Sequence, residues 1–568
     1  MIMTNRIIEC VPNFSEGRDR NVIGQITAAI EASGGVKLLD VDPGEATNRT
    51  VVTFVGDPEA VVEAAFAGVK RAAELIDMRR HKGAHPRMGA TDVLPLIPIA
   101  GVTLEECAAL ARGLAERIAA ELRIPTYCYE AAAFTPERKN LAVCRAGEYE
   151  ALPEKLAHKE SAPDFGTRPF DESVARTGAT AVGARDFLIA VNFNLNTTST
   201  RRANAIAFDV REKGRPVREG GSPVGKVVKD AAGNPLMQPG TLKATKAIGW
   251  FIEEYGIAQV SMNITDIAVT PLHVAFDEVC RKADARGVRV TGTEIVGLVP
   301  KRALIEAGKY FLRKQRRSTG ISEEEIVRIA VKSMGLDDLK PFDPAEKVIE
   351  YLLEAEVQEK RLIDMTCKAF AGETASESPA PGGGAIAAYM GALGAALGTM
   401  VANLSSHKAG WDDRWEEFSD WAEQGQSVLS ELLHLVDEDT AAFNRIMAVF
   451  AMPKSTDEEK AARSAALQEA TLYATEVPLR TMKAASRVFP IVRAMASEGN
   501  PNSVSDAGVG ALAARSAVLG ACLNVKINAA GLKDRVKADA LVAEANALAA
   551  EAERLEAEVL KIVEQKIG

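Results

Sequence analysis

The stretch VKLLDVDPGEATNRTVVTFVG, residues 36–56, holds two runs of branched and aliphatic side chains around a Pro-Gly turn. Such runs favour extended backbone, because β-branched side chains pack well on a pleated surface. The Pro43-Gly44 turn divides them into two strands, 36–42 and 49–56. What flanks the pair decides the fold. Upstream, RIIECV (6–11) is a short apolar strand, and DRNVIGQITAAIEASGG has helical spacing ending in glycines. Downstream, DPEAVVEAAFAGVKRAAELID opens with an aspartate cap and a proline in the first turn, and VLPLIPI follows as a strand. Strand, helix, strand, strand, helix, strand is the split βαβ, ferredoxin-like unit. TLEECAALARGLAERIAAELR and PTYCYE extend it by one helix and one strand.

After a loop-rich stretch to about residue 183 the same order recurs. FLIAVNFNLN, RRANAIAFDVRE, KAIGWFIEE, IAQVSMNITD, HVAFDEVCRKADARG and VRVTGTEIVG read as strand, helix, strand, strand, helix, strand. A loop rich in glycine, proline and basic residues interrupts it at 213–240, and loops of that length are functional or mobile. Asn192, Asn194 and Asn196 alternate with apolar neighbours, as do Ser261, Asn263 and Thr265. Period-two alternation puts them on one face, either solvated or lining a cleft. From about residue 355 strand signals vanish and Ala/Leu/Glu/Lys segments run to the end. The expected architecture is two α/β subdomains, 1–183 and 184–353, a linker at 354–361, and an all-α bundle at 362–568.

A chain of 568 residues exceeds one core. Its net charge of −10 argues against nucleic acid as a partner. The seven cysteines are scattered and lack a C-x-x-C pair, which suits a reducing cytoplasm. MIMTNRIIECVPNF lacks a basic-then-apolar profile. AIAAYMGALGAALGTMVA (385–402) is mostly alanine and glycine, and reads as a close-packed buried helix rather than a membrane span.

HKGAHPRMGATD (81–92) gathers two of the six histidines. A metal-binding pair four apart needs a helix, which Gly83 and Pro86 oppose, so no metal is expected. Acid–base chemistry suits a histidine whose tautomer a partner fixes, with Asp42 at a strand end as one candidate and Arg87 as a carboxylate holder. A structural polar loop fits these residues equally well.

VPNFSEG (11–17), LLDVDPG (38–44), TNRTVVTFVG (47–56), HKGAHPRMGATDV (81–93), RAGEYEALPEKL (145–156) and APDFG (162–166) together resemble the glutamate formiminotransferase family. The likeness continues through KAIGWF, TEIVGLVP and GLDDLKPF to about residue 353. The resemblance implies transfer of a formimino group from N-formiminoglutamate to tetrahydrofolate, in histidine breakdown. It makes His85 the acid–base residue and Asp42 its carboxylate partner, with Asn13, Arg49 and Arg87 as substrate contacts. It places folate near Gly166 to Gly178, where Arg168 and Arg176 stand, although TRPFDESVARTG is longer than the animal-type loop. Lys82 and the 213–240 loop are further candidates for binding a polyglutamate tail.

SPAPGGGAIAAYMGALGAALG (378–398) places Gly382, Gly383 and Gly384 before a helix, where free N–H groups can meet an anion. It has no Walker lysine, and a flexible turn is the alternative. SPAPGGG, VDEDTAAFNRIMAVFAMPK and EVPLRTM resemble the formiminotetrahydrofolate cyclodeaminase/cyclohydrolase family over about 362–568. By that resemblance Asp439, and not Asp437, is the catalytic acid, and GNPNSVSDAGVGA (499–511) offers Asn500, Ser505 and Asp506 as weaker site residues. The expectation is a bifunctional folate enzyme with tetrahydrofolate as co-substrate, cytoplasmic, off the membrane, and a homo-oligomer built from dimers. A fused methenyltetrahydrofolate cyclohydrolase is the nearer alternative, and a catalytically silent ring-forming scaffold the more distant one.

Overall fold

The computed structural model describes residues 6–44, 48–83, 87–221, 224–354 and 361–568. The chain forms two compact units. One runs to Ala303 and takes back Met334–Glu354; the other comprises Leu304–Ser333 and the chain beyond residue 360.

In the first unit, β1 (Ile7–Cys10) and β2 (Asn13–Phe14) are one interrupted strand, followed by α1 (Arg20–Ala32), β3 (Val36–Gly44), β4 (Arg49–Gly56), α2 (Pro58–Leu75) and β5 (Thr91–Ala100). Asp57 caps α2 by accepting the Glu59 N–H, as the sequence requires. The sheet runs β3, β4, β1 with β2, then β5, all antiparallel, which is the ferredoxin-like order. Ile26, Ile30, Val61 and Val69 press on Ile8, Phe54 and Leu96 in one buried core. A Cβ at Gly68 would lie 2.9 Å from the Ile30 side chain, so glycine there lets α1 and α2 close.

Next come α3 (Leu104–Arg117), β6 (Thr126–Glu130) and β7 (Thr180–Ala184). β7 inserts between β5 and β6 and runs parallel to both. TAVGA, at 180–184, carries no strand signal of its own and falls at the end of the expected loop-rich stretch, because it is short and small-residued and its pairing is entirely non-local.

The second α/β subdomain repeats the order with β8 (Ile189–Leu195), α4 (Thr200–Val210), β9 (Thr245–Ile252), β10 (Ile257–Ile264), α5 (Leu272–Asp284) and β11 (Val290–Val296), in sheet order β9-β10-β8-β11. Phe193 meets Phe276 of α5, so Val191, Phe193 and Leu195 face the helices. The alternate face is polar but buried. Asn192 donates to Glu294 at 3.0 Å, Asn194 to Asp338 at 3.2 Å, and Gln259 to Asn194 at 2.8 Å. The 213–240 excursion carries a short ladder, Arg215–Pro216 against Met237–Gln238.

The second unit is helical: α6 (Lys301–Lys314, from Leu304), α7 (Glu323–Met334, to Ser333), α8 (Gly383–Ser406), α9 (Trp415–Phe450), α10 (Asp457–Ser486), α11 (Val488–Glu498), α12 (Val504–Ala529) and α13 (Arg535–Ile567). Here packing departs from the expected boundary at 353, since 304–333 joins the helical unit. Thr319 N–H donates to Ser419 at 3.0 Å, Lys309 pairs with Glu423 at 3.1 Å, and Asn403 donates to the Gly320 carbonyl at 2.8 Å. α8 lies antiparallel to both α9 and α12: Gly391 abuts Leu432 and Ala517, and Gly394 abuts the Gly510 carbonyl. Small residues at these crossings let the backbones approach, and the core is correspondingly rich in alanine.

Candidate functional site

The histidine loop is held on three sides. His81 is buried, with Nε2 donating to the Asn48 carbonyl at 2.8 Å and Nδ1 accepting from Arg87 Nε at 3.4 Å. That pair of bonds fixes one tautomer. Burial pushes its pKa down, and the neighbouring Arg87 cation adds to the effect. Asn48 also donates to the Lys82 carbonyl at 3.1 Å and accepts from the Gly17 N–H at 3.0 Å. On the second side the loop meets Gly178, at φ +68, where a Cβ would lie 2.3 Å from the Met88 carbonyl oxygen. Only glycine fits there. On the third, the Tyr149 N–H donates to the Arg87 carbonyl at 2.9 Å. His85, with Ala84 and Pro86, lies outside the described residues.

Beneath the loop is a charge cluster. Asp92 is 1% exposed, accepts the Met88 N–H at 2.9 Å and Arg145 Nη1 at 2.9 Å, and forms an ion pair with Arg49 Nη1 at 3.6 Å. Arg49 Nε donates to Asn13 Oδ1 at 2.9 Å, so two of the expected contacts, Asn13 and Arg49, stand together. Two guanidiniums, those of Arg49 and Arg145, thus flank one carboxylate. Arg145 Nε is buried and has no hydrogen-bond partner among the described residues. Neither Arg145 nor Asp92 was singled out from the sequence, although both lie in the stretches that carry the family likeness. On the strand side the Tyr129 ring covers Gly183, where a Cβ would lie 2.5 Å from the ring.

Other expected residues take different places. Arg87 is clamped by Glu150 at 2.7 and 2.8 Å and by Glu148 at 3.2 Å. Its guanidinium is therefore spent on two internal carboxylates and on His81, and it positions the loop rather than offering a free fork. Arg168 bonds the Arg123 carbonyl and Asp171, and Arg176 bonds the Glu74 carbonyl. Both anchor the segment leading from Gly166, at φ +74, to Gly178. Lys82 is exposed, and Asp42 is exposed on the outer strand β3 opposite Val51.

In the helical unit, Gly382 caps α8, and Gly384 faces Asp439 so closely that a Cβ would lie 2.0 Å from Oδ1. Burial raises the Asp439 pKa, opposed by a hydrogen bond from the Ala385 N–H at the helix N-terminus. Gly383 lies against Asn524. Asp437 differs: it accepts the Leu362 N–H at 2.6 Å and ties down the segment entering the unit. Asn500, Ser505 and Asp506 are not beside Asp439. The Asn500 N–H donates to Ser405 at 2.8 Å, at the opposite end of α8. Among the described residues no group of three or more His, Cys, Asp or Glu side chains is placed to hold a metal.

Comparison with known proteins gives three family matches. The formiminotransferase domain, N-terminal subdomain, matches residues 7–185; the formiminotransferase domain matches 190–354; and formiminotransferase-cyclodeaminase matches 366–547. The formimidoyltransferase-cyclodeaminase of Rattus norvegicus is 43% identical over 532 residues, 94% of each chain. The glutamate formimidoyltransferase of Streptococcus pyogenes is 42% identical over 308 residues, 54% of this chain and 94% of its own. The methenyltetrahydrofolate cyclohydrolase of Methylorubrum extorquens is 39% identical over 202 residues, 36% of this chain and 97% of its own.

Proposed function

The chain belongs to the formimidoyltransferase-cyclodeaminase family, and from that premise we infer how its residues carry out two consecutive steps on folate. The first unit is the glutamate formimidoyltransferase. The tetrahydrofolate N5 attacks the formimino carbon of N-formimino-L-glutamate, and glutamate leaves. N5 loses a proton and the departing glutamate nitrogen gains one, a transfer suited to a histidine in the 81–92 loop, which we assign to His85, with Asp42 orienting it. The substrate carries two carboxylates, and the observation that carries this reading is the Arg49–Asp92–Arg145 cluster beneath the histidine loop. We assign Arg49 and Arg145 to the glutamate carboxylates.

The second unit is the formimidoyltetrahydrofolate cyclodeaminase. The folate N10 attacks the formimino carbon on N5, ammonia leaves, and 5,10-methenyltetrahydrofolate forms. N10 loses a proton and the departing nitrogen takes one, so a single carboxyl whose pKa burial raises can accept the first and deliver the second. We assign this role to Asp439, which lies against Gly384 at the glycine-rich start of α8, whereas Asp437 is occupied by backbone. We further propose a cytoplasmic homo-oligomer in histidine catabolism, using polyglutamylated folate, with exposed Lys82 and the basic 213–240 excursion meeting the tail.

Purified protein supplied with 5-formiminotetrahydrofolate should release one ammonia per methenyl product. The likeness of the helical unit to a cyclohydrolase gives the contrary outcome a definite form: no ammonia, but hydrolysis of supplied methenyltetrahydrofolate.

A further inference from the structure

We propose that Glu148 and Glu150 stand in for the substrate's own carboxylate on Arg87, and that one carboxylate of N-formimino-L-glutamate replaces them there while the other meets Arg145 and Arg49. This rests on the reading of the Arg49–Asp92–Arg145 cluster above. Three observations lead to it.

The first is a contrast between the partners of neighbouring arginines. The Asp92 side chain, which pairs with Arg145 and Arg49, is 1% exposed and so is a fixed part of the site. The Arg87 side chain is 12% exposed, yet the two glutamates on it, Glu148 and Glu150, are 40% and 64% exposed. Exposed ion pairs contribute little, because water and salt screen them, so these two exchange at small cost. Glu150 meets Arg87 fork to fork, Nη1 at 2.8 Å and Nη2 at 2.7 Å, and that pairing holds its carboxyl below the usual carboxylate range. A carboxylate at the end of a short aliphatic chain is also what the substrate offers, and the same fork accepts either.

The second is backbone strain at Glu148. Its φ of 57° and ψ of −154° lie where glycine alone is at ease. Three bonds hold it there. Its N–H donates to the Arg145 carbonyl at 2.8 Å, the following N–H, of Tyr149, donates to the Arg87 carbonyl at 2.9 Å, and its carboxylate accepts from Arg87 Nη1 at 3.2 Å. A strained residue persists only where its surroundings impose it. Letting go of Arg87 removes one of the three restraints, and that release favours exchange.

The third is connectivity. Asp92 accepts the Met88 N–H through Oδ1 and Arg145 Nη1 through Oδ2, each at 2.9 Å. Glu148 closes the circuit, bonded to Arg145 by its N–H and to Arg87 by its carboxylate. Arg87 and Arg145 are therefore neighbours around one ring of contacts, which suits a ligand with two carboxylates on a short chain. Arg87 meets His81 through Nε, so its Nη groups can change partner while the histidine loop stays in place.

The test uses the full-length protein, with ring closure of supplied 5-formiminotetrahydrofolate reporting that each chain has folded. In Glu148→Gln/Glu150→Gln the competing charges are gone. KM for N-formimino-L-glutamate, and Kd for L-glutamate by calorimetry, should then fall about three- to tenfold, with KM for tetrahydrofolate unmoved. Arg87→Gln should raise KM for formiminoglutamate about tenfold or more. Adding the two glutamate changes to Arg87→Gln should have no further effect, because carboxylates and substrate compete for that one group. Glu148→Gly gives a second route if the double variant folds poorly: it should raise the melting point of the first unit and still lower KM. Unchanged or raised KM in the glutamate variants would overturn the exchange and mark both glutamates as supports of the loop. Arg145→Gln with KM for formiminoglutamate unmoved would instead overturn the earlier assignment of the cluster, while a lowered KM in the glutamate variants would still support exchange at Arg87.

Discussion

Asp437 and Asp439 stand two residues apart on one helix and do different work. Asp437 holds a backbone N–H, while Asp439 faces a glycine across a helix start. Because burial raises the folded pKa of Asp439, the unfolded chain releases that proton more readily. Its contribution to stability is therefore lost as pH climbs from the ordinary carboxylate range through the raised value. Asp439→Asn removes that liability, so thermal unfolding of the helical unit at neutral pH should shift upward while ring closure falls about 100-fold or more. Asp437→Asn should leave turnover largely intact. His81 has the opposite sign: its folded pKa is depressed, so the histidine loop should loosen as pH falls below the ordinary imidazole value near 6.5, and proteolysis at 79–93 followed against pH measures it. In the charge cluster, Arg145→Gln should raise KM for formiminoglutamate by about tenfold or more and leave KM for folate nearly unchanged. An equal rise in both would mean that Arg145 supports the loop and not the substrate. Asn13 and Arg49 were legible in the sequence, but Asp92 and Arg145 were not singled out: they are 53 residues apart, and only folding makes them a pair.

At the scale of elements, what local pattern dictates was readable. The two strands around residues 36–56, the aspartate cap of α2 and the helical periods became the elements expected of them, except that Pro43 and Gly44, expected as a turn, extend β3 and pair with Thr50 and Arg49. What depends on remote partners was not. β7 exists because β5 and β6 leave a parallel slot, and residues 304–333 leave the subdomain that precedes them because Ser419, Glu423 and Asn403 offer bonds. The asparagines of β8 read as a polar face, yet the carboxylates that bury them come from β11 and the 335–342 segment. Glycines at close crossings give sharp tests. A Cβ at Gly320 would lie 2.3 Å from the Ala422 carbonyl carbon, so Gly320→Ala should lower the melting point of the helical unit without changing the transferase. Gly384→Ala should push the Asp439 carboxylate from its place and abolish ring closure in a chain that still melts cooperatively.

As a whole, the molecule carries two chemically separate activities whose reactions follow one another. The net charge of −10 means that any anion-binding patch is a local feature. The two units have separate cores, and each should keep its chemistry when the other is disabled. The direct measurement is ammonia release from supplied 5-formiminotetrahydrofolate by the His85→Ala enzyme, alongside formimino transfer from formiminoglutamate. The expected result is transfer reduced by about 100- to 10,000-fold with ring closure close to the unmodified rate. Transfer at the normal rate, or loss of both activities from a folded protein, would rule out two separate sites with His85 serving the first.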